Sequence, residues 1–291
     1  MRLSHCKINL LLNILGRRPD GFHEVETIMQ PLPLHDRLDV TKTAAGIELS
    51  CNHPQLPVGP ENLVFRAAAA FFQTTGLPGG VRIYLEKNIP LAAGLGGGSG
   101  NAATTLLALN ELFGNPLDAG QLQTLAANLG SDVPFFLQPH PALATGRGEK
   151  IQPLQPFVAL RGCWVMLVHP GFGIPTAWAY KSLAKFPEAL EGRRGRATQL
   201  LVLLQRGDLE QAGREFYNAL EFPALKKYPL LALFQEFFRA NGAVTMMSGS
   251  GSTTFAIVRG RPAAENLLAR FKSEFGDCYW TVIVPLESAE N

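Results

Sequence analysis

Pro90-Leu-Ala-Ala-Gly-Leu-Gly-Gly-Gly-Ser-Gly-Asn-Ala-Ala103 is the stretch that decides how the rest of the chain is read. Four of the five positions from Gly94 to Gly98 are glycine. A candidate strand, 81–86, precedes the loop. A helix pattern with apolar Ala102, Leu106 and Leu109 follows it, giving an expected helix over 99–112. Glycine allows backbone angles that side chains disfavour and lets a ligand approach the main chain. The unpaired N–H groups of the following first turn then form an anion site that needs no cationic side chain. A triphosphate suits such a site, whereas a plain surface turn is the blander reading. A Walker A loop requires Gly-Lys-Ser/Thr, and the chain has no Gly-Lys pair. The dinucleotide fingerprint requires glycine at the sixth place from Gly94, where Ser99 stands.

Strands are expected upstream of the loop at 7–15, 27–31, 37–42 and 47–51, with a helix at 63–75 that Glu61 and Asn62 can cap. Downstream, a helix over 121–129 stops at Gly130, and Ser131 opens a short turn over 132–137. A break falls near 150–160, around Pro153 and Pro156. Beyond it the order is a strand at 164–168, helices at 197–205, 209–220 and 230–241, strands at 243–247 and 253–258, a helix centred on Ala264 to Phe275, and a strand at 279–284. Strand, helices, two strands, helix, strand is a split βαβ, ferredoxin-like pattern with extra helices. The expected class is α+β in two domains, 1–155 and 156–291.

Composition narrows the function. The chain has 291 residues, 46% hydrophobic and 17% charged, which fits a globular protein with a real core. A net charge of +2 is too balanced to draw nucleic acid or a membrane surface by bulk attraction. The uncharged stretch 88–110 is broken by its glycines, Ser99 and Asn101, so no transmembrane helix is expected. Cys6, Cys51, Cys163 and Cys278 lie far apart with no metal-ligand spacing. Reduced thiols and a cytoplasmic location are expected. Nothing in the sequence sets an oligomeric state.

Other residues admit two readings each. Lys7 and Asn9 share one face of an apolar strand. Lys7 is either a snorkelling edge residue or a charge held over a reacting phosphate. Asp132 is either a helix-dipole partner or the acid that orients a substrate hydroxyl. Ser248-Gly-Ser-Gly-Ser252 is either a hairpin loop or a second backbone cradle. Phe22 and His23, at the turn after Pro19-Asp20-Gly21, either stack a base or plug the core.

Together these pieces resemble the GHMP kinase superfamily, whose Pro-x-x-x-Gly-Leu-Gly-x-x-Ser loop is matched by Pro90, Gly94, Leu95, Gly96 and Ser99. Further stretches point within it to the branch acting on a cytidine-diphosphate-linked methylerythritol. They are Lys7-Ile-Asn-Leu, Arg18-Pro-Asp-Gly-Phe-His23, Glu61-Asn-Leu, Ser131-Asp-Val-Pro-Phe135, His169-Pro-Gly, Ile174-Pro-Thr176 and Ser248-Gly-Ser-Gly251. The resemblance implies a ribosomal-protein-S5-like N-terminal domain and a ferredoxin-like C-terminal domain. It implies ATP as co-substrate, with Mg2+ expected, and transfer to a 2-hydroxyl in the non-mevalonate isoprenoid route. Lys7 and Asp132 would be catalytic. Pro90, Leu91, Ala92, Ala93, Gly94, Leu95, Gly96, Gly97, Gly98, Ser99 and Gly100 would bind ATP, with Ser99 the hydroxyl nearest phosphate and metal. Asn9, Phe22, His23, Thr176 and Tyr180 would bind the other substrate. Gly249, Ser250 and Gly251 are a candidate phosphate loop. The chain departs from the usual pattern at Phe22 (for tyrosine), Gly100 (for serine) and Ser131 (for alanine). The rivals are a GHMP kinase for homoserine, mevalonate or a sugar, a nucleotide sensor without turnover, and a decarboxylase on the same fold.

Overall fold

The computed structural model describes residues 1–190 and 192–286. The elements run β1 (Arg2–Arg17), β2 (His23–Thr43), β3 (Gly46–Cys51), α1 (Leu63–Thr75), β4 (Gly80–Glu86), α2 (Gly97–Leu112), α3 (Ala119–Leu129), β5 (Ala142–Gly146) and β6 (Lys150–Pro153). The second half runs β7 (Cys163–His169), α4 (Thr176–Ser182), α5 (Pro187–Leu190), α6 (Arg196–Arg206), α7 (Leu209–Arg214), β8 (Tyr217–Asn218), α8 (Glu221–Lys227), α9 (Pro229–Ala240), β9 (Val244–Met247), β10 (Thr254–Arg259), α10 (Arg261–Phe275) and β11 (Trp280–Pro285).

The first sheet has the order β3-β4-β2-β1-β8, with β5 and β6 extending from β2. Period-two alternation on β4 buries Val81, Ile83 and Leu85 and exposes Arg82 and Tyr84. The buried face packs on α1 and α2 through Val64, Ala68, Phe71, Leu106 and Leu109. Helix α1 starts at Asn62, whose side chain accepts the Val64 N–H, and ends at Gly76 in the left-handed conformation. The second sheet has the order β11-β7-β10-β9 with every pair antiparallel, the ferredoxin-like arrangement. Helices α9 and α10 cover one face of it through Phe234, Phe238 and Phe271. Burying each such ring is worth roughly 1.5–3 kcal/mol. Its other face shares a core with the first sheet, where Ile8 and Leu10 of β1 meet Val165, Leu167 and Phe255. On β1 the alternate residues Lys7 and Asn9 belong to the opposite face.

Two expectations are corrected. The strands expected at 27–31 and 37–42 are one strand, β2, running through Pro31 and Pro33. A register shift between His5 and Cys6 leaves Pro33 outside the ladder, so its missing N–H removes no bond. The Lys7 N–H, whose register partner is Pro31, instead bonds Leu95 O at 3.0 Å. The helix expected over 209–220 stops at Arg214. Tyr217 and Asn218 pair in parallel with Leu11 and Leu12, and the helix restarts at Glu221. Tertiary hydrogen bonds of Asn218 outweigh local helix propensity there. Among the described residues, no helix is long and apolar enough to cross a membrane.

Candidate active site

A cleft of about 560 Å³ opens over the face of β1 that carries Lys7 and Asn9. Lys7 and Asn9 of β1, the loop from Pro90 to Ser99, the Asp132 turn, Thr176 and Tyr180 of α4, and Gly249 and Ser250 all line it. Gly94 and Gly96 hold φ of +76° and +72°, the region glycine favours. A Cβ on Gly94 would lie 2.1 Å from Ser248 O, so the two glycine loops touch backbone to backbone. Helix α2 begins with Gly96 as N-cap, and no side chain caps its first turn. Those N–H groups and the helix dipole are directed at the cleft, as an anion site needs.

Lys7 is 2% exposed. Its Nζ donates to Asn9 Oδ1 at 2.6 Å and to Gly94 O at 3.1 Å, and lies 3.5 Å from Asp132 Oδ2. Asn9 Nδ2 donates to Thr27 Oγ1 at 2.8 Å, and that hydroxyl donates to Leu11 O at 2.5 Å. This chain turns the Asn9 carbonyl oxygen toward the ammonium. Asp132 stands in the turn after Gly130, with its carboxylate 39% exposed. The pair therefore has a buried cation and an open acid. That acid can meet a hydroxyl while the ammonium meets a developing negative charge.

A second lysine lines the same cleft from its other side. Lys87 is ion-paired with fully buried Asp36 and donates to Asn101 Oδ1 at 3.1 Å. Asp36 also accepts the Asn88 and Ile89 N–H groups at 2.7 and 2.9 Å and the Asn101 amide at 2.9 Å. Asn101 reaches Ser4 Oγ at 2.9 Å. This network pins the entry of the glycine loop and the first turn of α2 to β1 and β2.

At the far rim, the His23 and Tyr180 rings lie 5.2 Å apart and 31° from parallel. Phe22 is 51% exposed, with the Arg147 guanidinium 4.8 Å above its ring. Asp20 accepts the Phe22 N–H at 3.1 Å and holds the turn. Burial, then the charge of Arg17, hold the His23 ring below its usual pKa, so it is neutral at pH 7. Burial, then nearby Asp132, push the Tyr180 phenol up, so it remains a donor. Thr176 Oγ1 and Ser250 Oγ, 3.0 Å apart, join α4 to the second glycine loop.

The expected residues separate into groups. Lys7, Asn9, Asp132, Thr176, Tyr180, Gly249, Ser250 and the run Pro90 to Ser99 come together around the cleft. Phe22 and His23 sit on the rim beside Arg147 and Tyr180. Gly100 and Gly251 lie behind the wall. A Cβ on Gly100 would be 2.6 Å from His5 O, and one on Gly251 would be 2.5 Å from Met247 Sδ. The strand contact leaves no room for a side chain at Gly100. Lys87, Asp36, Asn101, Thr27 and Arg147 escaped the sequence reading. The only available signal was a lysine standing between a strand and Pro90.

The oxygen donors on the wall include Ser99, Glu61 and Asp132, and among the described residues no cluster of three or more His, Cys, Asp or Glu forms a metal cage. Such a donor set fits Mg2+ that enters on nucleotide phosphates and keeps much of its shell from phosphate and water.

Residues 62–139 match the GHMP kinases N terminal domain and residues 200–277 the GHMP kinases C terminal domain. The 4-diphosphocytidyl-2-C-methyl-D-erythritol kinase of Pelotomaculum thermopropionicum is 42% identical, over 93% of each chain. A crystal structure of 4-(cytidine 5'-diphospho)-2C-methyl-D-erythritol kinase superposes with a TM-score of 0.77, at 36% identity over 98% of each chain. The chain belongs to the 4-diphosphocytidyl-2-C-methyl-D-erythritol kinase family of GHMP kinases. It is an ATP-dependent small-molecule kinase. Mevalonate kinase of L. major superposes with a TM-score of 0.72 at 16% identity, over 99% of this chain and 96% of that one, a likeness of fold alone. Within this GHMP kinase the N-terminal match takes in the glycine loop and Asp132, while Lys7, Phe22, His23, Thr176 and Tyr180 fall outside both matched stretches. Strand β1, the β1–β2 turn, the start of β2 and α4 bring those five residues to the cleft and its rim.

Proposed function

We propose that the chain phosphorylates the 2-hydroxyl of 4-diphosphocytidyl-2-C-methyl-D-erythritol with ATP, in the non-mevalonate route to isoprenoid precursors. The observation that carries this is the position of the Lys7–Asp132 pair, 3.5 Å apart, between a glycine loop at one end and the His23–Tyr180 ring pair at the other. An acid and an ammonium at the middle of a cleft, with an anion site and an aromatic site flanking them, match a substrate whose acceptor hydroxyl lies between a triphosphate and a base.

In this reading Gly94 to Ser99 hold the β- and γ-phosphates through main-chain N–H groups, and Pro90 to Ala93 lie along the nucleotide. Gly249 and Ser250 close the phosphate site from the C-terminal half. The acceptor oxygen bonds to the γ-phosphorus as the bond to the bridging β-γ oxygen breaks, and ADP leaves. Asp132 orients the hydroxyl and takes its proton. Lys7 Nζ stabilises the charge on the transferring group. A loose transition state loses the proton late, so positioning contributes more than base strength. Bound Mg2+ would neutralise phosphate charge, with Ser99 the hydroxyl best placed to touch it. Phe22 and Tyr180 offer stacking faces for cytosine, neutral His23 offers one N–H and one ring acceptor to its edge, and Asn9 and Thr176 hold the polyol. The two halves, 1–155 and 156–291, act as the domains between which both substrates bind. The partners are these two small molecules, and the cytoplasm suits thiols far from one another in sequence.

ATP consumption against a panel tests the reading. The cytidyl substrate should be turned over, whereas free methylerythritol, homoserine and mevalonate should not. A preference for mevalonate or homoserine would overturn the assignment of substrate. No transfer from labelled ATP in a single turnover would overturn the assignment of activity.

A further inference from the structure

Gly94 O is a junction. It accepts Lys7 Nζ at 3.1 Å from one side and Ser248 Oγ at 3.0 Å from the other. The second glycine loop presses on the same spot: a Cβ at Gly249 would lie 2.9 Å from Gly94 O and 3.2 Å from Lys7 Nζ. Ser248 and Gly249 therefore bound the Lys7 ammonium together with Asn9 and Asp132 and help to set where it sits.

Asn218 sets the position of Ser248 and Gly249. It is 1% exposed and lines no part of the cleft. Its Nδ2 donates to Met247 O and to Gly249 O, both at 2.8 Å, gripping the chain on either side of Ser248. Its Oδ1 accepts the Leu220 N–H at 2.9 Å. Both amide N–H groups and the carbonyl oxygen are thereby engaged, and the amide orientation is fixed by them. Asn218 is itself referenced to the strand that carries Lys7. Its register partner is Leu12, and the Ala219 N–H bonds Leu12 O at 2.9 Å. Strand β1 thus holds Lys7 directly and, through β8, holds the loop that packs on Lys7.

We infer that Asn218 is a positioning residue for phosphoryl transfer, acting through Ser248, Gly249 and Gly94 on Lys7 Nζ. This rests on the catalytic role proposed for Lys7. A purely structural asparagine would lower stability and leave the chemistry of the folded enzyme intact. A positioning residue lowers kcat in enzyme that remains folded, and does so only while Lys7 is present.

The test is a double-mutant cycle of Asn218→Ala and Lys7→Met, on full-length enzyme below its melting point, with kcat and KM measured for ATP and the cytidyl substrate. Asn218→Ala should lower kcat about 10- to 100-fold, the scale for a reacting group displaced by an ångström. KM for the cytidyl substrate, bound at the other rim, should change about twofold or less. In the Lys7→Met background the same substitution should change kcat by about twofold or less. Equal losses in both backgrounds would overturn the inference. Ser248→Ala, which removes one hydroxyl, should show a smaller loss with the same dependence on Lys7. It keeps the cycle available if Asn218→Ala does not fold. A crystal structure separates this inference from the proposed substrate. In the less disruptive variant that folds, Lys7 Nζ should leave Gly94 O, and an unmoved Lys7 would refute the inference whatever the enzyme phosphorylates.

Discussion

Two buried lysines flank one glycine loop, and they have opposite surroundings. Lys87 meets a carboxylate with no exposure, and Asp36 is fully used by the lysine, two backbone N–H groups and one amide. Lys7 meets a carboxylate that is 39% exposed. The same pair of residue types therefore does two jobs. A sealed pair, satisfied on all sides, fixes geometry. A half-open pair leaves one partner able to engage a substrate. Exposure of the acid, rather than the presence of an ion pair, distinguishes the proposed reacting centre from its scaffold.

The comparison breaks most visibly at Asp132. Asp132→Asn keeps the shape and removes the proton acceptor, so kcat should fall by about 10²- to 10⁴-fold. KM for either substrate and the melting temperature should hardly move. Near-normal turnover by this variant would remove Asp132 from the chemistry. Asp36→Asn should do the reverse. It strands the Lys87 charge in a buried site, and breaking such a pair typically costs about 3–5 kcal/mol. Denaturant unfolding should show that loss, with any fall in kcat tracking the unfolded fraction. A stable Asp36→Asn enzyme with lost ATP affinity would show that the sealed pair acts on the nucleotide directly.

The two pairs also differ in how far sequence reveals them. Lys7 on a strand, the glycine loop and the Asp132 turn each carry a local signal, because anion sites at helix starts and acids after helix stops have short-range signatures. Asp36 and Lys87 are 51 residues apart and meet only because β2 and β4 pair. Nothing near Asp36 marks it as buried. The same limit explains the helix expected across 209–220. Its apolar pattern is real, but Asn218 answers to Met247 and Gly249, about thirty residues away. The ferredoxin-like order was legible because hydrophobic periodicity is local and each strand there is short and apolar. Which side chain meets which across the cleft was not, since it depends on bulges in β1 that shift register between His5 and Cys6 and between Asn9 and Leu11.

Within the loop the contrast can be sharpened by one methyl group. Gly96→Ala would place a Cβ 2.9 Å from Phe136 Cζ and 3.1 Å from Lys7 Cε, at φ +72°. The left-handed conformation alone disfavours alanine by about 1–2 kcal/mol, and the contact displaces the Lys7 stem. Turnover and stability should both fall. Gly98→Ala meets only Leu63 Cδ1 at 3.6 Å, an ordinary contact. As a residue of the first helical turn it should gain slightly in stability. Equal losses from both changes would mean that main-chain access to phosphate, and not the Lys7 position, limits the rate.

Glu221 extends the series to a carboxylate held by amides instead of a lysine. It accepts the Met247 N–H at 2.8 Å and the Gln235 amide at 2.6 Å, and burial raises its pKa above the usual carboxylate value. A raised native pKa means that the folded protein favours the protonated acid. Its stabilising contribution is then complete below the unfolded value of 4.5 and is lost as pH rises through the native pKa. Gln keeps the carbonyl oxygen that accepts both bonds and does not titrate. Glu221→Gln should therefore match the parent in melting temperature near pH 4 and exceed it at neutral pH, with kcat unchanged. This is the smallest of the effects, because the group already has two hydrogen-bond donors in place. A melting-temperature difference that stays flat across that range would mean the carboxylate is as well solvated by those donors as by water, and the distinction between open and sealed acids would then rest on Asp132 and Asp36 alone.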